Sequence, residues 1–388
     1  MCNRTITTNK VEKRRSVLLV TEWHDPRIEV GIAKCAKENQ WHLYLEPVYT
    51  GVLPWGWTGD GCIVMAANRP MAEFVDSLDV PVVDLTHQQP DFKFARIHSD
   101  DCDLGRLAAE YFKKLGFKNF ACYSKNQLAV AHDRISGFAG YLSTGGHACR
   151  QLVAKTRAHK PKDRWLRQKK WLAEELKKLP KPVAVFCIDD CMAVDVIEAA
   201  TDASIRVPED IAVLGVGNLE TACECSAVPI SSIDIEPERL GHQAGELLQR
   251  LMDGETVLEH TFFVDHGGIT ERRSTDTLAV EDPHAAKAVR FILDNYQRNI
   301  GVNDIANASV ISRRKLNYLI GKELNTSPAA LLESIRLNKA LVLLEETDYT
   351  IAHIAELCGF GLSLRLHRTF HRKYKTTPGK YRRQYSNA

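Results

Sequence analysis

Two segments near the end of the chain share one design: Val302–Ile320, VNDIANASVISRRKLNYLI, and Thr350–Arg383, TIAHIAELCGFGLSLRLHRTFHRKYKTTPGKYRR. Each reads as a short helix, a tight turn and a second helix with a basic outer face. Between them runs Ala330–Glu346, ALLESIRLNKALVLLEE, with apolar residues at helical spacing. Two such units in tandem imply contact with two adjacent major grooves of duplex DNA.

Charge is distributed to match. From Pro283 onward there are 17 Lys and Arg against 8 Asp and Glu, a balance of +9; the preceding residues hold 34 and 41, a balance of −7. A total of +2 therefore conceals a basic C-terminal domain on an acidic body. No carboxylate side chain follows Glu356. A solvated basic tail would show the same charge, but Ile351, Ile354, Ala355, Leu366, Phe370 and Tyr374 recur at helical spacing, so this region is expected to pack.

The 388-residue length suggests two or three domains. No apolar run approaches the ~20 residues that span a bilayer. The N-terminal residues 1–15 are polar, with no apolar signal core behind them, which points to a cytoplasmic protein. Eleven cysteines, with Cys187/Cys191 and Cys223/Cys225 as the close pairs, lack the spacing of a zinc module and read as reduced thiols. No metal or cofactor is expected. There is no GxGxxG after a strand, no P-loop, no GxSxG and no HExxH, so no enzyme is expected either. Adjacent Asp189 and Asp190 imitate a catalytic pair, but neighbours at a strand end point apart.

From Ser16 to about Thr275, β-rich runs such as SVLLV, CIVMAA, VAVFCID and IAVLGVG alternate with amphipathic helices. This predicts parallel sheets with helices on both faces. Two lobes fit, at about 16–120 and 121–228, with the chain crossing back near Ile233. Ligands of open α/β sheets bind outside the carboxyl ends of the strands, here between the lobes.

SDDCDLGRLAAEYFKKLGFKNFACYS, DRISGFAGYL, FCIDDCMAVDVI, VPEDIAVLGVGNLE and ISSIDIEPERLGHQAGELLQRLMDGE follow one another in an order that resembles the LacI/GalR-type regulator core, a periplasmic-binding-protein-like fold. The last hundred residues resemble the AraC/XylS-type DNA-binding domain, through Gly359, Phe360, Arg368, Thr369, Phe370, Thr377, Pro378, Tyr381 and Arg382. The resemblance implies a two-lobed α/β sugar-sensing core over 16–276, a linker over 277–282, and an all-α domain with two helix-turn-helix units over 283–388. It implies a sugar-responsive DNA-binding transcription regulator of a pentose (xylose-like) catabolic or transport operon. The alternatives are the same architecture with a different or lost effector, and a non-transcriptional sugar-binding protein. The implied partners are double-stranded DNA, a sugar, a second copy of the chain and, further out, RNA polymerase. LacI/GalR proteins carry a helix-turn-helix ahead of the first strand. Only residues 1–15 precede it here, so DNA contact is expected from the C-terminus.

In the first unit Ser312 is expected to cap the recognition helix, with Leu316, Leu319 and Ile320 inward. Arg314, Asn317 and Tyr318 then face outward at positions matching the family's base readers; Arg suits guanine and Asn adenine. Arg313 and Lys315 equally fit phosphate contacts. In the second unit Ser363, Arg365, His367 and Arg368 fall on the matching face. Val310 stands where the family has Gly, so a left-handed turn there would be strained and a different closure is expected. Leu362 and Leu364 occupy positions that are often polar; packing of one against the linking helix would reduce base reading.

A sugar site needs polar groups for hydroxyls and an aromatic face for the ring. The candidates are Glu22, Trp23, His24 and Asp25 after the first strand, Arg134, the pair Asp189 and Asp190, and Asn218. Arg134 and Asp190 are expected to grip the ligand together, while Asp101 caps its helix. The Ile28, Ile32 and Cys35 face, with Val30 and Ala33 beside it, is the candidate dimer surface. Trp55 and Trp57 fit a mobile loop or plain packing. Gly217 replaces an Asp of the family. That removes a charged acceptor worth ~1.5–3 kcal/mol when buried, and implies a different effector or hydroxyls met by Glu22 or Glu220.

Overall fold

The structure, a computed structural model, describes residues 14–23, 25–125, 128–154, 161–257 and 260–385. In chain order the body contains β1 (Ser16–Thr21), α1 (Pro26–Glu38), β2 (His42–Tyr44), α2 (Glu46–Thr50), β3 (Gly61–Met65), α3 (Arg69–Asp76), β4 (Val82–Asp84), β5 (Ala95–Ser99), α4 (Asp101–Lys114), β6 (Asn119–Ser124), α5 (Ala129–Thr144) and β7 (Cys149–Val153). It continues with α6 (Pro161–Lys178), β8 (Val183–Cys187), α7 (Asp190–Asp202), β9 (Ile211–Val216), α8 (Glu220–Cys225), β10 (Ser231–Asp234), α9 (Pro237–Met252), β11 (Thr261–Val264) and β12 (Gly268–Thr270).

Two six-stranded sheets result. The first has the order β2-β1-β3-β4-β5-β11 and is parallel throughout; the second, β7-β6-β8-β9-β10-β12, is parallel except for β12. The continuous apolar run SVLLV follows from burial on both faces. Val17 and Leu19 pack with Ile32, Leu240 and Leu248, while Leu18 and Val20 pack with Phe74 and Val75 on the opposite side.

The lobe boundary corrects the sequence reading. Strand pairing puts the first crossing between Ser99 and Asp101, about a helix earlier than Phe120. Helix α4 lies in the second lobe, where Leu104, Ala108 and Phe112 pack with Phe120, Phe138 and Phe186. Periodicity reveals an apolar helix face but not which sheet covers it. The chain crosses back after β10, then again between β11 and β12. Helices α4 and α5 touch backbone to backbone: a Cβ on Gly137 would lie 2.0 Å from the Cys102 carbonyl oxygen. That approach seats Arg134 of α5 against the start of α4. The proposed dimer face also needs correction. Ile28, Ile32 and Cys35 are buried within their own lobe with Leu240 and Ala244 of α9, leaving only Val30 and Ala33 exposed.

The C-terminal domain has seven helices among the described residues: α10 (Pro283–Asn295), α11 (Val302–Ala308), α12 (Arg313–Leu324), α13 (Pro328–Glu346), α14 (Ile351–Leu357), α15 (Ser363–Tyr374) and α16 (Pro378–Tyr385). Ser327 caps α13 ahead of Pro328, and Thr350 caps α14. Helix α13 serves two cores. Leu331, Leu332 and Ile335 join the first helix-turn-helix; Leu337, Ala340 and Leu344 join the second. At ~1.5 Å per residue it is ~28 Å long, close to the ~34 Å that separates successive major-groove faces.

The turn at Val310 closes as a left-handed turn after all, with φ 57°, and matches Gly359 (φ 73°) in the second unit. Both are followed by the same hydrogen bond, Ile311 N to Ala306 O and Phe360 N to Ala355 O. Packing of the two helices overrides the preference of a β-branched residue. The Val310 side chain is 76% exposed, so nothing there repays the strain. Val310→Gly should therefore raise stability by ~1 kcal/mol or more, seen as a higher melting temperature. An unchanged or lower value would show that the turn is not strained.

Candidate functional site

The carboxyl ends of β1, β8, β9 and β10 meet where the lobes face each other. Asp25 caps α1 and is 4% exposed; its carboxylate holds Arg27 through Nε (3.0 Å) and Nη2 (2.8 Å). Arg27 then reaches across the lobes and donates from Nη1 to the Asn218 carbonyl at 2.9 Å. Burial works against the Arg27 charge, but Asp25, then Asp234 and Asp190, raise its pKa above the ordinary value. Asn218 adopts a left-handed conformation, donates from Nδ2 to Asp234 Oδ2 (2.9 Å), and leaves a buried Oδ1 with no hydrogen-bond partner among the described residues. A buried acceptor of this kind calls for a donor such as a ligand hydroxyl.

Arg134 is placed differently from the sequence expectation. Its Nε donates to Asp101 at 2.7 Å and its Nη1 to the Ile188 carbonyl at 2.5 Å, so its ion-pair partner is Asp101 and not Asp190. Asp101 consequently does not cap α4; Asp100 does, accepting from Asp103 N. Asp189 caps α7, and burial pushes its carboxyl pKa up. Asp190 is 2% exposed and fully engaged within its own lobe: Oδ1 accepts from Ser232 Oγ (2.5 Å) and Oδ2 from Leu219 N (2.7 Å). Burial raises its pKa, partly offset by these donors and by Cys223. Asp190 thus shapes the site and has no free oxygen to grip a ligand. Gly217 lies beside it at φ 121°, where a Cβ would stand 3.3 Å from Asp190 Oδ2. An acid at 217 would be strained and next to a like charge.

Glu22 and Trp23 follow β1; Glu22 accepts from Asn68 Nδ2 at 2.9 Å, and Trp23 is 52% exposed. His24 lies outside the described residues. Glu220 is exposed at the start of α8. Trp57 packs with the Leu18–Phe74 cluster and Trp55 meets Phe74 edge-on, so packing accounts for both. Sequence reasoning missed Arg27 and Asp234. Asp234 was findable, since it ends a strand; Arg27 acts over 191 residues of chain, with no local signal beyond the Asp25–Pro26–Arg27 turn.

Strand β10 links this site to the DNA-binding domain. Ser232 holds Asp190, while Ser231 bonds Ser274 and Thr275 of a short 3-10 turn, Arg273–Thr275. Arg273 in turn pairs with Asp294 of α10 at 2.8 Å, and Arg290 of α10 donates to the Asp276 carbonyl at 3.0 Å.

On the DNA-binding side Ser312 caps α12, accepting from Lys315 N. Leu316, Leu319 and Ile320 are buried, and Arg313, Arg314, Lys315, Asn317 and Tyr318 are exposed. Asn317 donates to the Arg313 carbonyl at 3.0 Å. In α15, Leu366 and Phe370 are buried, Ser363, Arg365 and Arg368 are exposed, and His367 is half-buried. Leu362 and Leu364 do not pack on the linking helix; both are exposed, at 63% and 56%. They leave the face open and offer apolar contacts suited to thymine methyl groups.

A periplasmic binding protein-like domain model matches residues 109–275, and a helix-turn-helix domain model matches 305–384. The xylose operon regulatory protein of Escherichia coli (strain K12) is 26% identical over 377 residues, covering 92% of this chain and 94% of that one. Its counterpart in Haemophilus influenzae is 24% identical over 370 residues. A solved xylose-binding transcription activator superposes with TM-score 0.65 at 25% identity, covering 96% of this chain and 98% of that one. The lac repressor dimer on its operator, at 19% identity and TM-score 0.53, shares the fold of the core. No described helix is long and apolar enough to cross a membrane.

Proposed function

Because the chain joins a LacI/GalR-like, periplasmic-binding-protein-like core to an AraC-type helix-turn-helix domain, the architecture of the xylose operon regulators it matches, we propose that it is a sugar-responsive, DNA-binding transcription regulator of pentose genes, xylose first among them. The observation that carries this reading is the pair of outward basic recognition helices, α12 and α15, held apart by one helix shared between their two cores.

The sugar sits between the lobes. Asn218 Oδ1 and Asp189 accept from its hydroxyls, Arg134 donates, and Trp23 covers a ring face. Ligand preference for one lobe spacing then shifts the equilibrium, and β10 passes the change through Ser231 and the 273–276 junction to α10. The protein works in the cytoplasm as a homodimer, contacts RNA polymerase as a partner, and catalyses no reaction. Gly217 in place of an acid favours a ligand that meets fewer carboxylates.

Arg314 is the base reader with the largest expected effect. Arg314→Ala in the full-length protein should weaken specific binding by ~1–3 kcal/mol and relax one base position. Gel shifts on the promoter nearest its own gene, across a salt series and base-substituted sites, test this. Uniform weakening on every sequence would assign Arg314 to phosphate, and no salt-dependent shift at all would overturn the DNA-binding reading.

A further inference from the structure

We propose that His87, His98 and Asp101 form a binding site for a zinc-type divalent cation at the seam between the lobes. One ligand atom from each lies within 4.8 Å of the others. His87 follows β4 and His98 lies on β5, both in the first lobe; Asp101 opens α4 in the second. Tetrahedral zinc places its ligand atoms ~3.4 Å apart, so small side-chain rotations convert this cluster into a coordination shell.

Each of the three side chains is prepared for that role. His98 Nδ1 lies 2.8 Å from the Ser99 carbonyl, where it donates. This fixes the tautomer and leaves the Nε2 lone pair free, the usual orientation device of a histidine ligand. His87 stacks near it, with ring centroids 4.6 Å apart. Both His87 nitrogens are buried without a hydrogen-bond partner among the described residues, although Asp133 Oδ2 of α5 stands 3.0 Å from Nε2. Nδ1 has no such neighbour among the described residues, and a buried ring nitrogen left that way is the mark of a missing partner. Asp101 uses one oxygen for Arg134 Nε at 2.7 Å, which leaves the other for a cation. Asp133 or water completes the shell. Two imidazoles and a carboxylate suit zinc or its borderline neighbours, not magnesium or calcium, which prefer oxygen throughout. The Arg134 guanidinium opposes a cation here, and the carboxylates of Asp133 and Asp100 offset it.

Bound metal would tie β4 and β5 to α4. It would act beside existing ties between the lobes: Arg27 to Asn218, Ala129 N to Gln88 Oε1 at 2.9 Å, and His87 to Asp133. It would thus bias lobe spacing, leaving Asn218 and Asp189 open to the sugar and touching the sugar's third contact, Arg134, through its partner Asp101.

The test uses full-length, tag-free, chelator-treated protein without sugar, so its result is separate from the effector reading. Zinc is titrated by calorimetry and cobalt by visible absorption. One ion per chain is expected, with cobalt bands of a nitrogen–oxygen site and no thiolate charge transfer. Loss of an outer-shell partner already costs ~10–100-fold in affinity, so His87→Ala and His98→Ala should each weaken binding by ~100-fold or more while the circular dichroism spectrum is kept. If His98→Ala misfolds, His87→Gln decides, since that change gives up only the part-exposed pairing of His87 Nε2 with Asp133. No stoichiometric ion in the parent protein, unchanged affinity in the histidine variants, or a thiolate band pointing to the cysteines would each overturn the proposal.

Discussion

Asp190→Ala will lower the melting temperature and disable sugar response through the fold and not through a lost ligand contact. The carboxylate is buried, accepts from Ser232 Oγ and Leu219 N, and braces the turn that carries Gly217 and Asn218. Truncation strands two buried donors, each at ~1–3 kcal/mol, so a loss of ~3 kcal/mol is expected. For a chain of this size that is a fall of several degrees in melting temperature. Burial raises the Asp190 pKa in the folded state. The stability linked to its titration is therefore present below the ordinary carboxylate range and is lost as pH rises through the folded-state value. The gap between parent and variant should narrow as pH increases. Chemical denaturation at several pH values reads both quantities. Unchanged stability with abolished sugar binding would instead make Asp190 a direct ligand.

The same residue shows what a sequence can and cannot convey. Two adjacent acids at the end of a buried strand announce a site, but the helix they begin decides their roles. Asp189 is the cap, with an extended backbone at φ −149°, and Asp190 is the first helical residue, turned into the lobe. Nothing local distinguishes them. Long-range pairing was equally hidden. Arg134 finds Asp101 only because Gly137 lets α5 settle on the α4 backbone, and Arg27 finds Asn218 only once the lobes face each other. In contrast, the cores of the helix-turn-helix units and the cap of the first were legible. Their cores, caps and exposed faces are set by 3.6-residue periodicity and short-range hydrogen bonds, as with Ser312, Leu316, Leu319 and Ile320. Val310 marks the limit of that rule: its own preference argues against a left-handed turn, and the packing of α11 on α12 imposes one. Where structure is local the sequence speaks directly, and where it depends on which surfaces meet, only the fold answers.

Arg134 carries the largest expected effect on the effector. Its side chain is only 11% exposed, and the guanidinium is fixed by Asp101 and the Ile188 carbonyl at the mouth of β8, beside Asp189. A planar fork held this way keeps further N–H groups for a ligand oxygen. Removing one partner of a buried charged contact costs ~2–5 kcal/mol, so Arg134→Ala should raise the dissociation constant of whichever pentose the parent binds at least ~30-fold. The variant also leaves Asp101 buried without its cation, which destabilises the second lobe, so loss of binding alone would not establish the role. Arg134→Lys separates the two effects. It restores a positive charge to Asp101 and with it most of the stability, but a point charge cannot reproduce the fork. The expected pattern is a near-parental melting temperature for Arg134→Lys with sugar binding still severely weakened, and ligand-free promoter binding preserved in both variants, since the recognition helices are untouched. Calorimetry with a pentose panel and gel shifts with and without sugar measure these outcomes. Parental sugar affinity in Arg134→Lys would assign the arginine to holding Asp101, and would move the ligand's donors to Arg27 and the end of β9.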